Sequence, residues 1–135
     1  MIKLMVVDDE QKICDFVRGF FEKRGHPVIM VTDPRRAVGI MKIEKPQVIL
    51  LDVKMPDMSG LTLLENIRAV DKEVKVIMVT IADDTATHQR ADELGADAFI
   101  SKPFSSDYLE ETVLDKLEEL YPLKKQRKHS KEAQV

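Results

Sequence analysis

Four apolar runs in this 135-residue sequence are each followed, within two residues, by a side chain that can bind ions or move protons. These side chains are Asp8 with Asp9, Asp52, Thr80 and Lys102. If the runs are parallel strands of one sheet, their carboxyl ends share an edge, and the five polar groups meet there. Each residue alone could equally be a helix cap or turn former. A cation before a helix opposes the helix dipole, however, so capping explains Lys102 poorly.

These groups together suit phosphoryl chemistry. Clustered carboxylates repel one another and hold protons more tightly unless a cation relieves the repulsion. Oxygen donors of this kind suit Mg²⁺, which takes one or two carboxylates with waters and a phosphate oxygen. Asp52 would act as a nucleophile toward phosphorus, Lys102 and Mg²⁺ would supply countercharge, and Thr80 would donate its hydroxyl to a phosphoryl oxygen. The residues therefore favour reversible phosphorylation of Asp52.

The elements that must position these groups alternate regularly along the chain. Apolar runs predict five strands, at residues 2–7, 27–31, 48–51, 74–79 and 98–100. Runs without polar alternation indicate strands that are buried on both faces, as in a parallel sheet. A helical pattern follows each strand. The sequence therefore predicts one three-layer, doubly wound α/β domain with a five-stranded parallel sheet and five helices.

The helical patterns have recognisable starts and apolar faces. The first helix carries its apolar residues at helical spacing: Ile13, Phe16, Val17, Phe20 and Phe21. Asp33-Pro34 opens the second helix and Ser59-Gly60 the third. The fourth, Thr85 to Leu94, follows Asp83-Asp84 and is the most polar, so we expect His88 to be exposed. The last begins at Ser105-Ser106-Asp107 and presents four apolar residues before Pro122: Leu109, Val113, Leu117 and Leu120.

The composition is that of a globular protein, with 44% hydrophobic and 33% charged residues. No apolar run approaches the ~20 residues that a membrane span requires. The run Met1 to Val7 is short and has no basic leader, so it predicts a strand and not a signal peptide. Cys14 is the only cysteine, which excludes an internal disulfide and a thiolate metal cluster and favours a small buried side chain. We therefore expect a cytoplasmic protein.

The net charge of −3 is unevenly distributed. Residues 122–135 carry five lysine or arginine side chains and one glutamate, a formal charge of +4, which leaves −7 on residues 1–121. An acidic body argues against direct nucleic-acid binding by the folded part. We expect residues 1–121 to form the domain and residues 122–135 to be a flexible basic tail or linker.

The motifs resemble those of two-component response-regulator receiver domains. The matching parts, in order, are Val7-Asp8-Asp9-Glu10, Leu51-Asp52-Val53-Lys54-Met55-Pro56, Gly60, Val79-Thr80 and Lys102-Pro103-Phe104. The resemblance covers about residues 2–121. It implies the flavodoxin-like strand order 2-1-3-4-5, as in chemotaxis regulators, and a signalling switch in place of an enzyme acting on external substrates.

The resemblance also implies roles for individual residues. Asp52 would be the phosphoacceptor, taking its phosphoryl group from the phosphohistidine of a histidine kinase or phosphotransfer protein. Mg²⁺ would bind to Asp9, to Asp52 and to the backbone carbonyl of Lys54, while Asp8 would act largely through water. The resemblance also implies that Lys102 pairs with Asp52 or with the phosphoryl group.

The same resemblance implies a conformational readout. Thr80 and Phe99 would form the switch pair, and helix 4, strand 5 and helix 5 would change their affinity for a partner, with a phosphorylation-dependent homodimer as one form of it. Three features depart from the family pattern. Ile81 stands where the family usually has a small residue, so we expect it to narrow the access of phosphoryl donors to Asp52. Lys54 and Ala82 occupy positions that tune phosphoryl lifetime in the family, and Phe99 replaces the more familiar tyrosine.

Alternative functions remain open at this point. A Mg²⁺-dependent phosphohydrolase could also use an aspartyl phosphate, but it needs a general acid near the nucleophile, commonly an aspartate two residues on, where this chain has Lys54. A flavin protein would need a hydroxyl- and glycine-rich loop after the first strand, where Asp8, Asp9 and Glu10 would repel phosphate. The chain could also be the receiver part of a longer DNA-binding transcriptional regulator.

Overall fold

The structure is a computed structural model that describes residues 1–81, 85–102 and 105–121, with the side chain of Leu120 left out. The chain divides into two compact units, residues 1–102 and residues 103–135. The first unit contains every strand and every residue of the predicted site. Several features proposed from the sequence lie outside the described residues: Ala82, the Asp83-Asp84 cap, Pro103-Phe104, the helix stop at Pro122 and the tail.

The first unit is built on a five-stranded parallel sheet. Its strands are β1 (Leu4–Val7), β2 (Val28–Val31), β3 (Val48–Asp52), β4 (Lys75–Thr80) and β5 (Ala98–Ser101). Their order across the sheet is β2-β1-β3-β4-β5, and all neighbours are parallel. Both the parallel sheet and its implied order are thereby confirmed.

Five helices accompany the strands, as predicted. The first unit has α1 (Gln11–Glu22), α2 (Ala37–Glu44), α3 (Gly60–Val70) and α4 (Thr85–Glu93). In the second unit, α5 consists of an α-helical turn (Ser106–Tyr108), a π-helical turn (Leu109–Val113) and an α-helical stretch (Leu114–Leu120). None of the helices in the described part of the chain has the length and apolar character needed to cross a membrane.

The sheet is buried on both faces, which explains its uninterrupted apolar strands. Every residue of β1 and β3 is buried. One face packs against side chains of α2 and α3 in a single core cluster, which includes Met5, Ile49, Leu51, Met78, Met41 and Leu64. Helix α1 buries a stripe that consists of Cys14, Val17, Phe20 and Phe21. The predicted burial of Cys14 is therefore confirmed.

Two local predictions need correction. Phe16 belongs to the predicted apolar face of α1, but it is 37% exposed, because it lies at the edge of the buried stripe. Asp33-Pro34 does mark a helical start, since the Asp33 carboxylate accepts a hydrogen bond from the Arg35 N–H. The first turn, Pro34–Arg36, is a 3-10 turn, however, and α2 begins only at Ala37.

Arg68 of α3 holds the loops at the amino-terminal edge of the sheet. Its Nη1 donates to the Val74 carbonyl oxygen at 2.6 Å, and its Nη2 donates to the Gly95 carbonyl oxygen at 2.8 Å. Nη2 also lies 2.9 Å from Oδ2 of Asp97. Gly95 closely follows α4, so this half-buried cation fixes the chain where α4 ends.

Gly60 allows α3 to begin close to the end of β3. Its N–H donates to the Val53 carbonyl oxygen at 2.8 Å. A Cβ atom on Gly60 would overlap the carbonyl oxygen of Asp52 and lie 2.8 Å from Cα of Val53. These contacts are backbone atoms, which cannot swing aside as a flexible side chain would. The absence of a side chain at Gly60 therefore sets the position of the loop after Asp52.

We predict that Gly60→Ala destabilises the protein and that Gly39→Ala does not. An added methyl group at Gly60 forces the backbone after β3 to move, at a cost of about 1–3 kcal/mol. Gly39 lies in α2 with open space around its Cα, so alanine there should stabilise the helix by about 0.5–1 kcal/mol. Urea unfolding of both variants measures the difference. Equal stabilities would contradict the close approach at Gly60.

Candidate functional site

One ammonium group lies among three carboxylates at the carboxyl-terminal edge of the sheet. Nζ of Lys102 lies 2.7 Å from Oδ2 of Asp8, 3.4 Å from Oδ2 of Asp52 and 3.5 Å from Oε1 of Glu10. Asp8 and Asp52 are 2% and 5% exposed, and the Lys102 side chain is 7% exposed. Asp8, Asp52 and Lys102, which end or follow three different strands, therefore meet in a buried ionic contact, and Glu10 reaches it from the solvent side.

Backbone hydrogen bonds beyond the strands hold these residues in place. The N–H of Asp8 donates to the Val31 carbonyl oxygen at 3.1 Å, which continues the ladder between β1 and β2. The N–H of Lys102 donates to the Thr80 carbonyl oxygen at 2.9 Å, which extends the pairing of β5 with β4. The side chains of the cluster consequently project from fixed backbone positions.

Asp8 is held at both oxygens of its carboxylate. Oδ1 accepts a hydrogen bond from the Glu10 N–H at 2.9 Å, and Oδ2 contacts Lys102. Glu10 is the residue before α1, and its side chain makes no capping hydrogen bond. The acidic run thus ends β1 with a turn centred on the Asp8 carboxylate and does not cap α1 through its side chains.

Three carboxylates at this edge of the sheet, two from the cluster and that of Asp9, could hold a metal ion. Asp8, Asp9 and Asp52 each offer an oxygen, and these oxygens lie within 4.8 Å of one another. Opposite ligands of an octahedral Mg²⁺ are about 4.2 Å apart, because each bond is about 2.1 Å long. Only one pair among three ligands can be opposite, and neighbouring ligands are about 3 Å apart. The oxygens must therefore approach one another, or bind through bridging water molecules, to enclose such an ion. Asp9 is exposed, so it offers an oxygen on the solvent side.

The cluster opposes ionisation of Asp52 but favours ionisation of Lys102. Burial raises the pKa of Asp52 to about 6, the charge of Asp8 adds to the rise, and Lys102 and the Lys54 backbone N–H offset it only in part. Burial lowers the pKa of Lys102, but its hydrogen bond to Asp8 and the charge of Asp52 outweigh this, so the net shift is upward. Lys102 therefore remains a cation at neutral pH. The negative charge of Asp52 is only partly compensated by the groups around it.

The predicted switch residues lie on β4 and β5, and the Thr80 carbonyl oxygen accepts a hydrogen bond from the Lys102 N–H. Thr80 ends β4 and is 5% exposed. In the register of β4 with β5, Met78 pairs with Phe99 and Thr80 pairs with Ser101, so Thr80 and Phe99 project from the same face of the sheet. Phe99 does not join the acidic cluster. Its ring stacks on the imidazole ring of His88 in α4, with centroids 4.3 Å apart and planes 5° apart.

Other sequence expectations have mixed outcomes. His88 is half-buried and not exposed as expected, because Phe99 of a different element covers its ring. The sequence reasoning also missed the contact of Glu10 with Lys102, although Glu10 directly follows the two aspartates. Lys54 has an exposed side chain, and Ile81 is 66% exposed.

The buried thiol of Cys14 contacts the backbone of Asp8. Its Sγ donates to the Asp8 carbonyl oxygen at 3.4 Å. Burial raises the pKa of the Cys14 thiol to about 11, and the charges of Asp8 and Asp15 add to the shift. The thiol is therefore protonated at neutral pH and acts as a packing group.

Comparison with known proteins gives one family. The family model for the response regulator receiver domain matches residues 4–114. Sporulation initiation phosphotransferase F of Bacillus subtilis (strain 168) is 31% identical over 111 residues, which are 82% of this chain and 90% of that protein. The alkaline phosphatase synthesis transcriptional regulatory protein PhoP of the same organism is 34% identical over 103 residues. That match covers 76% of this chain but only 43% of PhoP, so the chain spans less than half of its length.

Solved structures agree with the sequence comparison. The chemotaxis protein CheY4 of Vibrio cholerae superposes with a TM-score of 0.81 at 28% sequence identity. The superposition covers 87% of this chain and 99% of the CheY4 chain. The similarity thus extends over nearly the full length of that structure.

We predict that Asp52→Asn stabilises the protein in metal-free buffer at neutral pH. The folded state raises the pKa of Asp52 from 3.8 to about 6, so it binds this proton more tightly than the unfolded chain does. Ionised Asp52 then lowers the free energy of unfolding as the pH rises from 4 to 6, with the full effect above 6. Asparagine removes this penalty of about 1–3 kcal/mol.

Thermal unfolding at pH 7.5 and at pH 4 measures the effect. The gain from Asp52→Asn should be largest at pH 7.5 and should shrink toward pH 4, where Asp52 is protonated in both states. Asp57→Asn is the matched control, since Asp57 is an exposed carboxylate in the same loop. A gain of equal size at both pH values would show that charge is not its cause.

Proposed function

The chain belongs to the response-regulator receiver family of two-component systems, and from that premise we propose that it is a phosphorylation-dependent switch with Asp52 as its phosphoacceptor. The observation that carries the proposal is the position of Asp52. Asp52 is the last residue of the central strand β3, and its carboxylate lies 3.4 Å from the buried ammonium group of Lys102. Its oxygen also lies within 4.8 Å of carboxylate oxygens of Asp8 and Asp9. Receiver domains of this family take their phosphoryl groups from histidine kinases or phosphotransfer proteins.

The proposed reaction is an exchange of one bond for another at phosphorus. A carboxylate oxygen of Asp52 attacks the phosphorus of a phosphohistidine, the new P–O bond forms, and the P–N bond breaks. The electron pair of that bond leaves with the imidazole, which then takes up a proton. Lys102 stays charged and lies close enough to neutralise part of the phosphoryl charge. Asp52, with a pKa of about 6, is mostly ionised at neutral pH and thus able to attack.

The donor set fits a hard divalent cation, and we assign it to Mg²⁺. Asp9, Asp52 and the backbone carbonyl of Lys54 would hold the ion, and both oxygens of Asp8 already have partners, which favours contact through water. The bound ion would add positive charge beside the phosphoryl oxygens. Carboxylate oxygens are the donors that Mg²⁺ prefers, and the cluster's excess of negative charge over Lys102 calls for one more cation.

Phosphorylation would be read through Thr80 and Phe99. The Thr80 hydroxyl would donate to a phosphoryl oxygen, and Phe99, which projects from the same face of the sheet, would turn inward behind it. Helix α4, strand β5 and helix α5 would then change their affinity for a partner or for a second copy of the chain. The scarcity of buried side chains in α4 supports this, since only Ala91 is buried in its described residues, and weakly packed elements shift most easily.

The downstream effect of phosphorylation depends on whether the receiver acts alone or is part of a longer protein. The sporulation phosphotransferase is matched over 90% of its length, which is compatible with a receiver that passes its phosphoryl group to another protein. PhoP is matched over 43%, which is compatible with the receiver part of a longer transcriptional regulator. In either case the histidine kinase or phosphotransfer protein is the partner that docks at Asp52.

We predict that incubation with acetyl phosphate and Mg²⁺ adds one phosphoryl group to the protein, at Asp52. Intact-mass spectrometry measures the gain. It should vanish without Mg²⁺ and in Asp52→Asn, because both the ion and the nucleophile are needed. Asp57→Asn serves as the control and should label like the wild type. An undiminished gain in Asp52→Asn would refute the assignment.

We also predict that Mg²⁺ raises the melting temperature of the wild-type protein. Mg²⁺ at ten times its dissociation constant stabilises the folded state by about 1.4 kcal/mol. Asp9→Asn should lose most of this gain, since it removes a proposed ligand. Asp15→Asn, which changes an exposed carboxylate on α1, should keep it. A Mg²⁺ titration monitored by thermal unfolding decides, and equal shifts in both variants would rule out a role for Asp9.

A further inference from the structure

We propose that His88 is a positioning residue of the switch, whose imidazole ring holds Phe99 against α4 and so restrains the reorientation of Phe99. The inference rests on the proposed function, because it concerns how Phe99 responds to phosphorylation. It adds a residue of α4 to the path from Asp52, and with it a direct reason why α4 and Phe99 would move together.

The geometry of the two rings carries the proposal. The centroids are 4.3 Å apart and the planes deviate by only 5°, so the rings are in contact over their faces. His88 lies in the middle of α4, and Phe99 lies in β5 and packs against the core cluster. Both residues are half-buried. Phe99 cannot turn away from its present position without breaking this contact.

The other contacts that hold α4 against the rest of the unit are weak or lie near its carboxyl end. Ala91 is the only buried side chain among residues 85–93, and it is small. Arg90 reaches Glu65 of α3 at 3.5 Å, but both side chains are more than half exposed, and such ion pairs contribute little. The end of α4 is held through Gly95 by Arg68. The stack thus adds a contact in the middle of a helix whose carboxyl end is held by Arg68.

A short path leads from the ionic cluster to the stack. Lys102 is bonded to Thr80 through its backbone N–H, and Phe99 lies in the same strand that leads to Lys102. Thr80 and Phe99 share one face of the sheet in the register of β4 with β5. A displacement of Thr80 or Lys102 would therefore change the space that Phe99 can enter, while His88 opposes its departure from α4.

The test compares variants that keep or remove the flat ring. His88→Ala removes it and His88→Phe restores it, while Gln89→Ala changes the exposed neighbour on α4 and serves as the matched control. Two quantities are measured on the full chain: the rate of phosphoryl uptake at Asp52 from acetyl phosphate with Mg²⁺, and the hydrogen exchange of the α4 amides. Ring stacking shifts a two-state equilibrium by about two- to tenfold.

We expect His88→Ala to take up the phosphoryl group about two- to tenfold faster and to exchange its α4 amides faster, with His88→Phe and Gln89→Ala close to wild type. Phe99→Leu should raise the exchange of α4 as His88→Ala does, and the double variant should raise it no further. Equal uptake rates in His88→Ala and Gln89→Ala would overturn the inference, even if exchange increased, because the stack would then only be packing. If the wild-type protein accepts no phosphoryl group, the proposed function fails and the inference fails with it.

Discussion

The buried contact of Lys102 with Asp8 and Asp52 is the interaction on which the site depends. Two carboxylates this close, each less than a tenth exposed, would repel strongly, and one of them would take up a proton. The ammonium group of Lys102 offsets part of this repulsion, because it lies 2.7 Å from Asp8 and 3.4 Å from Asp52. Lys102 can reach both because β5 pairs with β4 up to the residue before it.

The sequence was sufficient to predict which residues meet, because a parallel sheet brings the carboxyl ends of its strands to one edge. Asp8, Asp52 and Lys102 could be placed together from apolar runs alone. The order of the strands came from the family resemblance, since alternating elements allow several orders. The sequence could not tell that Lys102 lies closer to Asp8 than to Asp52. That choice depends on side-chain conformations and on differences of less than 1 Å between the two distances.

The errors have a common cause. Periodicity identifies the apolar face of a helix, but it does not identify what the rest of the helix meets. Phe16 fits the pattern of α1 and is still 37% exposed, because the sheet covers only part of that face. His88 fits the polar pattern of α4 and is still half-buried, because its partner Phe99 comes from β5. Contacts between side chains of different elements leave no periodic signal in either element.

The charge at Asp52 and the ring contact at α4 are associated with energies of different size. A pKa that rises from 3.8 to about 6 corresponds to about 3 kcal/mol between the charged and neutral forms of Asp52. An aromatic stack contributes about 0.5–1.5 kcal/mol. The energy associated with the charge at Asp52 is therefore larger than the contribution of one aromatic stack. A ligand shifts an equilibrium only by its differential affinity for the two states. One added phosphoryl group can therefore shift the switch more readily when the restraint at α4 is weak.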